Sequence, residues 1–130
     1  MKIVVKKELG FANIIIYDND VFHIHVLDRT PITIDQAQQI EALRFSLTKL
    51  PLGLTLSTSN DDFVLPTQET IKYIQSDKRS LTIKANAYVV KSFSHRLAMK
   101  AATKINKKSY SCGYFESNDK AIAWLMGLKT

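Results

Sequence analysis

The sequence predicts one α/β domain on a mixed five-stranded sheet, in the order β-β-α-β-α-β-α-β-α. Three observations carry that prediction. A short turn joins two strand-like runs into a hairpin, and from there strand and helix periodicities alternate to the end of the chain. Four glycines and three prolines in 130 residues leave no linker and no internal boundary, so residues 1–130 read as one domain. A hydrophobic content of 45% with 23% charged residues is that of a globular chain, long enough to bury a core without disulfides or metals.

Each element has a local cause. "ANIIIYDND" is a strand rich in β-branched residues, closed by a turn at Asp18, Asn19 and Asp20. In "VFHIHVLDR", Phe22, Ile24 and Val26 alternate with His23 and His25, which gives a strand with one apolar and one imidazole face. So short a turn makes the pair an antiparallel hairpin. "TPITIDQAQQIEALRFSLTKL" is a helix. Thr33 and Gln36 form a capping box, and Asp35 sits where the helix dipole favours an acid. Ile34, Ala37, Ile40, Leu43 and Leu47 make its buried stripe, and Pro51 stops it near Lys49.

"GLTLSTS" is the third strand. "PTQETIKYIQSD" is a short helix beginning at Pro66 or Thr67, with Ile71 and Ile74 facing in. "LTIKANAYVVK" is the fourth strand, and "SFSHRLAMKAATKINKK" a helix opened by Ser92 or Ser94, its core face formed by Leu97, Ala98, Ala101 and Ile105. "YSCGYFES" is the fifth strand. "SNDKAIAWLMGLK" is a final helix capped by Ser117 or Asn118. Alternation after the hairpin implies right-handed crossovers and mostly parallel strands covered by helices, with the antiparallel hairpin at one edge.

Charge is unevenly placed. Residues 1–65 carry six Lys and Arg against eight acids, net −2, while residues 66–130 carry twelve against four, net +8. The single cysteine, Cys112, has no partner within the chain and reads as a small buried residue, which fits a reducing cytoplasm. The opening "MKIVVKKELGF" has neither the apolar core nor the cleavage site of a secretory signal. No window approaches the roughly 18 apolar residues that a membrane span needs. A cytoplasmic location is therefore expected.

The C-terminal "YFESNDKAIAWLMGLK", the preceding "AYVVKSFSHRLAMKAATKI" and the element order together resemble the STAS domain (sulfate transporter and anti-sigma factor antagonist), the SpoIIAA-like fold. More narrowly they resemble small stand-alone bacterial proteins of the STAS/SEC14-like group. There, a strand similar to Tyr114-Phe115-Glu116 leads into a capped helix with an Ala-x-x-Trp-Leu pattern, here Ala121-Ile122-Ala123-Trp124-Leu125. The resemblance implies a non-catalytic regulatory module acting through protein–protein contacts, with a homodimer among the arrangements it allows and no cofactor. Its SEC14-like side implies the alternative, a binder of a lipid or another apolar small molecule, which needs a cavity beneath the helices. In anti-sigma antagonists a serine in an Asp-Ser-x-Gly pattern, at the start of the helix after the third strand, is phosphorylated. The corresponding residues are Pro66-Thr67-Gln68-Glu69, so Thr67 is the candidate phosphoacceptor. Pro66 and Glu69 depart from the pattern, Asp61, Asp62 and Glu69 oppose added phosphate, and Thr67 reads first as a helix cap.

Two further constellations stand out. His23 and His25 share a strand face about 7 Å apart by strand rise. They are metal-ligand candidates only if a third ligand joins them. Arg96, Lys100, Lys104 and Lys107 recur at i, i+4, i+8 and i+11, extended by Lys108 and Lys91. This basic stripe is a candidate surface for an acidic protein, or less readily for nucleic acid or lipid headgroups. The nucleic-acid reading lacks interleaved aromatics. The membrane-surface reading lacks bulky aromatics on the other face of the helix, where Leu97, Ala98, Ala101 and Ile105 are better spent on the core. Phosphate loops, paired carboxylates, HExxH and CxxC patterns are all missing from the sequence, which makes an enzyme the weaker reading.

Overall fold

A computed structural model describes residues 2–27, 31–48, 53–60, 66–74, 82–103 and 111–129. The strands are β1 (Ile3–Glu8), β2 (Ala12–Tyr17), β3 (Val21–Val26), β4 (Gly53–Ser59), β5 (Ile83–Val89) and β6 (Ser111–Phe115). The helices are α1 (Ile34–Leu47), α2 (Gln68–Ile74), α3 (Phe93–Thr103) and α4 (Asn118–Leu128). All six strands lie in one sheet in chain order. β1, β2 and β3 pair antiparallel, and β3 through β6 pair parallel.

The expected mixed α/β fold is present, with one strand more than expected. β1 lies outside the hairpin, so β2 is an interior strand and not an edge. In "IVVKKE" three apolar residues are followed by three charged ones and do not alternate with them. Five of the six residues are exposed, and the register shifts between Ile3 and Val5. A strand with no buried face writes no period-two signal. Gly10, at φ +90°, makes the turn into β2, with the Leu9 amide donating to the Ala12 carbonyl at 2.9 Å. The β2–β3 turn is the predicted one. Asp20 takes φ 69° there, and the Asn19 side chain accepts from the Val21 amide at 3.2 Å.

Both faces of the sheet are covered. On one face Ala12, Ile14, Ile16, Phe22 and Ile24 pack against Ile40 of α1. The predicted capping box fixes where α1 starts. Thr33 Oγ1 accepts from the Gln36 amide at 3.2 Å, and the Thr33 amide donates to Gln36 Oε1 at 3.1 Å. On the opposite face Val21, Leu54, Leu56, Ala85, Ala87 and Val89 receive Ala121 and Leu125 of α4. Each large apolar side chain so buried contributes roughly 1.5–3 kcal/mol. Ser117 caps α4, accepting from the Lys120 amide at 3.3 Å. Trp124 packs on Phe115 with ring centres 5.4 Å apart.

α3 departs from expectation in orientation. Leu97, Ala98 and Ala101, read as its core face, are exposed, and among the described side chains of α3 Met99 is the buried one, packed with Tyr88 and Val90. Ile105 lies outside the described residues. The helix is rotated so that these three residues face solvent. Cys112 is half-buried beside this cluster.

Candidate functional site

α1 does not seal against the sheet. Between them lies a cavity of about 70 Å³, several times what one water needs. β3 supplies one wall through Phe22, Ile24 and Val26, because alternation puts every second β3 residue on this face. Ile32, Ala37 and Ile40 close it from the helix side, Tyr88 from β5, and Pro66 stands at the rim. The walls are mainly apolar.

The floor and far end are polar. Thr55 and Ser57 of β4 lie in register beside Asn86 and Tyr88 of β5. Asn86 is 1% exposed and accepts a hydrogen bond from the Thr55 hydroxyl. Ser57 and the Asn86 amide reach each other only at 3.5 Å, the long limit for such a bond, so both keep hydrogen-bonding capacity toward the cavity. Arg44 is 3% exposed and closes the far end. Its guanidinium donates to the Thr82 carbonyl at 3.1 Å and the Thr82 hydroxyl at 2.7 Å, and pairs with Glu41 at 3.2 Å. Neighbouring Gly53 leaves room for it: a Cβ there would stand 3.3 Å from Arg44 Nη1. A buried cation so paired presents little net charge to an occupant. Periodicity alone did not reveal Arg44 as a core residue. Leu43 and Leu47 continue the apolar stripe past it, so the position of Arg44 carried no signal of burial.

His23 and His25 lie on the opposite face, where the sheet runs beyond α4. Their imidazoles are members of a hydrogen-bonded chain. Tyr17 Oη meets His23 Nδ1 at 2.8 Å, and His23 Nε2 meets Thr58 Oγ1 at 2.6 Å. Thr58 Oγ1 meets His25 Nδ1 at 2.7 Å, and His25 Nε2 meets Asn60 Oδ1 at 2.6 Å. With the Asn60 oxygen as acceptor, every proton points the same way. Tyr17 donates to His23, His23 to Thr58, Thr58 to His25, and His25 to Asn60. Burial, and secondarily the neighbouring His25, hold the His23 pKa down to about 4. Burial raises that of Tyr17. Among the described residues no group of three or more His, Cys, Asp or Glu side chains converges as a metal site. Ser57 and Thr58 are buried strand residues serving the cavity and this chain respectively.

Thr67 is where the capping reading placed it. Its Oγ1 accepts from the Thr70 amide at 3.2 Å and lies 2.8 Å from the buried Thr70 hydroxyl. Of the basic stripe, Arg96 is half-buried and Lys100 exposed, whereas Lys104, Lys107 and Lys108 lie outside the described residues. Arg96 Nη1 donates to the Val90 carbonyl at 2.8 Å and the Lys91 carbonyl at 3.0 Å. The candidate residues thus fall in separate places: the histidines on one face, Thr67 at α2, and Arg96 with Lys100 on α3. No helix among the described residues is long and apolar enough to cross a membrane.

Comparison with known proteins agrees with this architecture. The chain is similar to the crystal structure of an uncharacterised protein of the DUF3478 family from Shewanella loihica PV-4, which has a SpoIIAA-like fold. The two share 14% identity and superpose with a TM-score of 0.51 over 95% of this chain and 94% of that one. The likeness establishes the SpoIIAA-like fold expected from the sequence. Among curated proteins none matches this chain. Residues 15–129 match the model of a domain of unknown function, DUF7793, and the chain belongs to that family.

Proposed function

We propose that this chain is a non-catalytic binding module whose working site is the cavity beneath α1, and that its ligand is a small, uncharged, mainly apolar molecule with one hydrogen-bonding group. The single observation that carries this reading is a cavity with apolar walls and the Ser57–Asn86 pair at its floor. Such a site, with few convergent polar groups in an apolar recess, is the ordinary form of a small-molecule site. The reading is uncharged because Arg44 already has Glu41 and Thr82. It is non-catalytic because Ser57 lies against an amide, which takes no proton, and not against an imidazole or carboxylate.

Toluene, benzamide and benzoate test it by chemical-shift perturbation of backbone amides at millimolar concentration. Benzamide is expected to shift Ile24, Ile40 and Tyr88 most strongly, toluene less, and benzoate not at all. Ala37→Leu fills the space and is expected to abolish the shifts. If none of the three compounds perturbs these residues, the reading fails.

A second reading, protein–protein contact including self-association, draws on β1. That strand lies at the edge of the sheet with Ile3 57% and Val4 62% exposed. An edge strand offers its outer backbone groups to a strand of a partner or of a second copy. Multi-angle light scattering decides the second case: a strict monomer at high concentration excludes the homodimer.

A further inference from the structure

α3 turns its apolar stripe outward. Phe93, Leu97 and Ala101 follow at i, i+4 and i+8, with Phe93 67% and Leu97 54% exposed. Single exposed apolar residues are common, but a continuous row along one helix marks an interaction surface. Cations flank it. Lys91 and Lys100 are exposed, and Arg96 braces the start of the helix through the Val90 and Lys91 carbonyls. The same guanidinium lies 5.6 Å from the centre of the Phe93 ring, so one contact positions both a charge and an aromatic side chain. From Lys78 to Phe115 the chain carries nine Lys and Arg and no acid. Glu116, just beyond, is paired with Lys120 and also lies within electrostatic reach of Arg96.

We propose that α3 is an interfacial helix that lays the Phe93–Leu97–Ala101 stripe into the headgroup boundary of an anionic lipid bilayer, with Lys91, Arg96 and Lys100 against the phosphates. Charge complementarity selects the occupant: an apolar row bordered by cations, in a stretch without acids, matches a surface that is anionic outside and apolar a few ångströms below. Shape supports the same choice. Among the described α3 side chains Met99 is the one that is buried, and Phe93, Leu97 and Ala101 project into solvent as a ridge. Fluid lipid closes around a ridge, whereas a protein partner must offer a preformed groove. Nucleic acid would meet the cations but gain little from Leu97, which offers no stacking face. One sequence-based objection to this reading was that Leu97, Ala98 and Ala101 serve the core, and their exposure removes it; the other, the lack of bulky aromatics beside them, is met by exposed Phe93.

Vesicle co-sedimentation of the full chain tests the proposal, with phosphatidylcholine–phosphatidylglycerol vesicles against phosphatidylcholine alone. The wild type is expected to sediment with the mixed vesicles and stay in solution with the neutral ones. Leu97→Glu and, separately, Phe93→Ser are each expected to weaken binding about tenfold or more, as burial of one large apolar side chain requires. Lys100→Glu is expected to weaken it less, with the wild-type affinity falling as salt rises. Far-ultraviolet circular dichroism checks that each variant folds, and Phe93→Ser keeps the test open should Leu97→Glu misfold. No sedimentation of the wild type at low salt overturns the proposal. Equal sedimentation of well-folded wild type, Leu97→Glu and Phe93→Ser also overturns it, because adsorption would then be by charge alone. Retention of a duplex oligonucleotide in place of vesicles, abolished by Lys100→Glu, overturns it in favour of nucleic acid.

Discussion

α3 and α4 are each eleven residues long, and they use their apolar side chains in opposite ways. α4 buries Ala121 and Leu125 completely and leans Trp124 on Phe115. α3 buries Met99 and leaves Phe93 and Leu97 in solvent. The cause lies in the strands beneath. Under α4 the sheet presents Ala85 and Ala87, with Gly113 beside Trp124, and small residues let a helix sink until its stripe is covered. Under α3 it presents Tyr88 and Tyr114, stacked with ring centres 5.5 Å apart, and Met99 meets this bulky platform first. How deep a helix settles depends on the side chains below it as much as on its own pattern.

Mutations should separate the two helices by size of effect. Leu125→Ala on α4 should cost roughly 2–5 kcal/mol in urea unfolding, from lost burial plus a cavity. A cost under about 1 kcal/mol would show that α4 is not seated as described.

The α4 face continues into the Tyr17–His23–Thr58–His25–Asn60 chain, and its stability should follow pH. The folded pKa of His23, about 4, lies below the unfolded value of 6.5. The unfolded chain therefore binds the extra proton between those values. The contribution is complete above pH 6.5 and is lost as pH falls toward 4, by about 3 kcal/mol for a shift of this size. Unfolding measured across that window should show the loss, and His23→Gln should flatten it. An unchanged slope in the variant would mean that other groups carry the dependence.

Gly113→Ala should destabilise by roughly 1–3 kcal/mol, because the new Cβ would stand 2.6 Å from the Phe115 ring and 3.0 Å from Trp124. A thermal midpoint equal to wild type would show that these rings give way freely. Thr33→Ala removes half of the α1 capping box and should cost about 1 kcal/mol by the same measurement. Leu97→Ala on α3 should change stability by less than about 0.5 kcal/mol, since the side chain is already in water. A cost above about 2 kcal/mol would break the contrast between the helices.

Much of this was legible in the residues. Thr33 and Gln36 announced the start of α1, Asp18 to Asp20 the hairpin turn, and "GLTLSTS" matched β4 residue for residue. β1 was not legible, because a strand exposed on both sides has no buried face to impose alternation. Arg44 was hidden because its burial depends on Thr82 and Gly53, neither of which is near it in sequence. Ser57 and Thr58 share one tripeptide yet serve opposite faces of the sheet, and only the pairing of β4 with β3 and β5 tells them apart.

By itself the sequence determined the order and type of most elements, their caps and their apolar stripes, since these follow from contacts three or four residues apart. The tertiary structure decided which way the α3 stripe points, that α1 leaves a cavity above Ser57 and Asn86, and that two histidines and a threonine form one hydrogen-bonded line. Each of those depends on side chains brought together by the sheet from distant parts of the chain, and periodicity carries no record of what lies across from a residue.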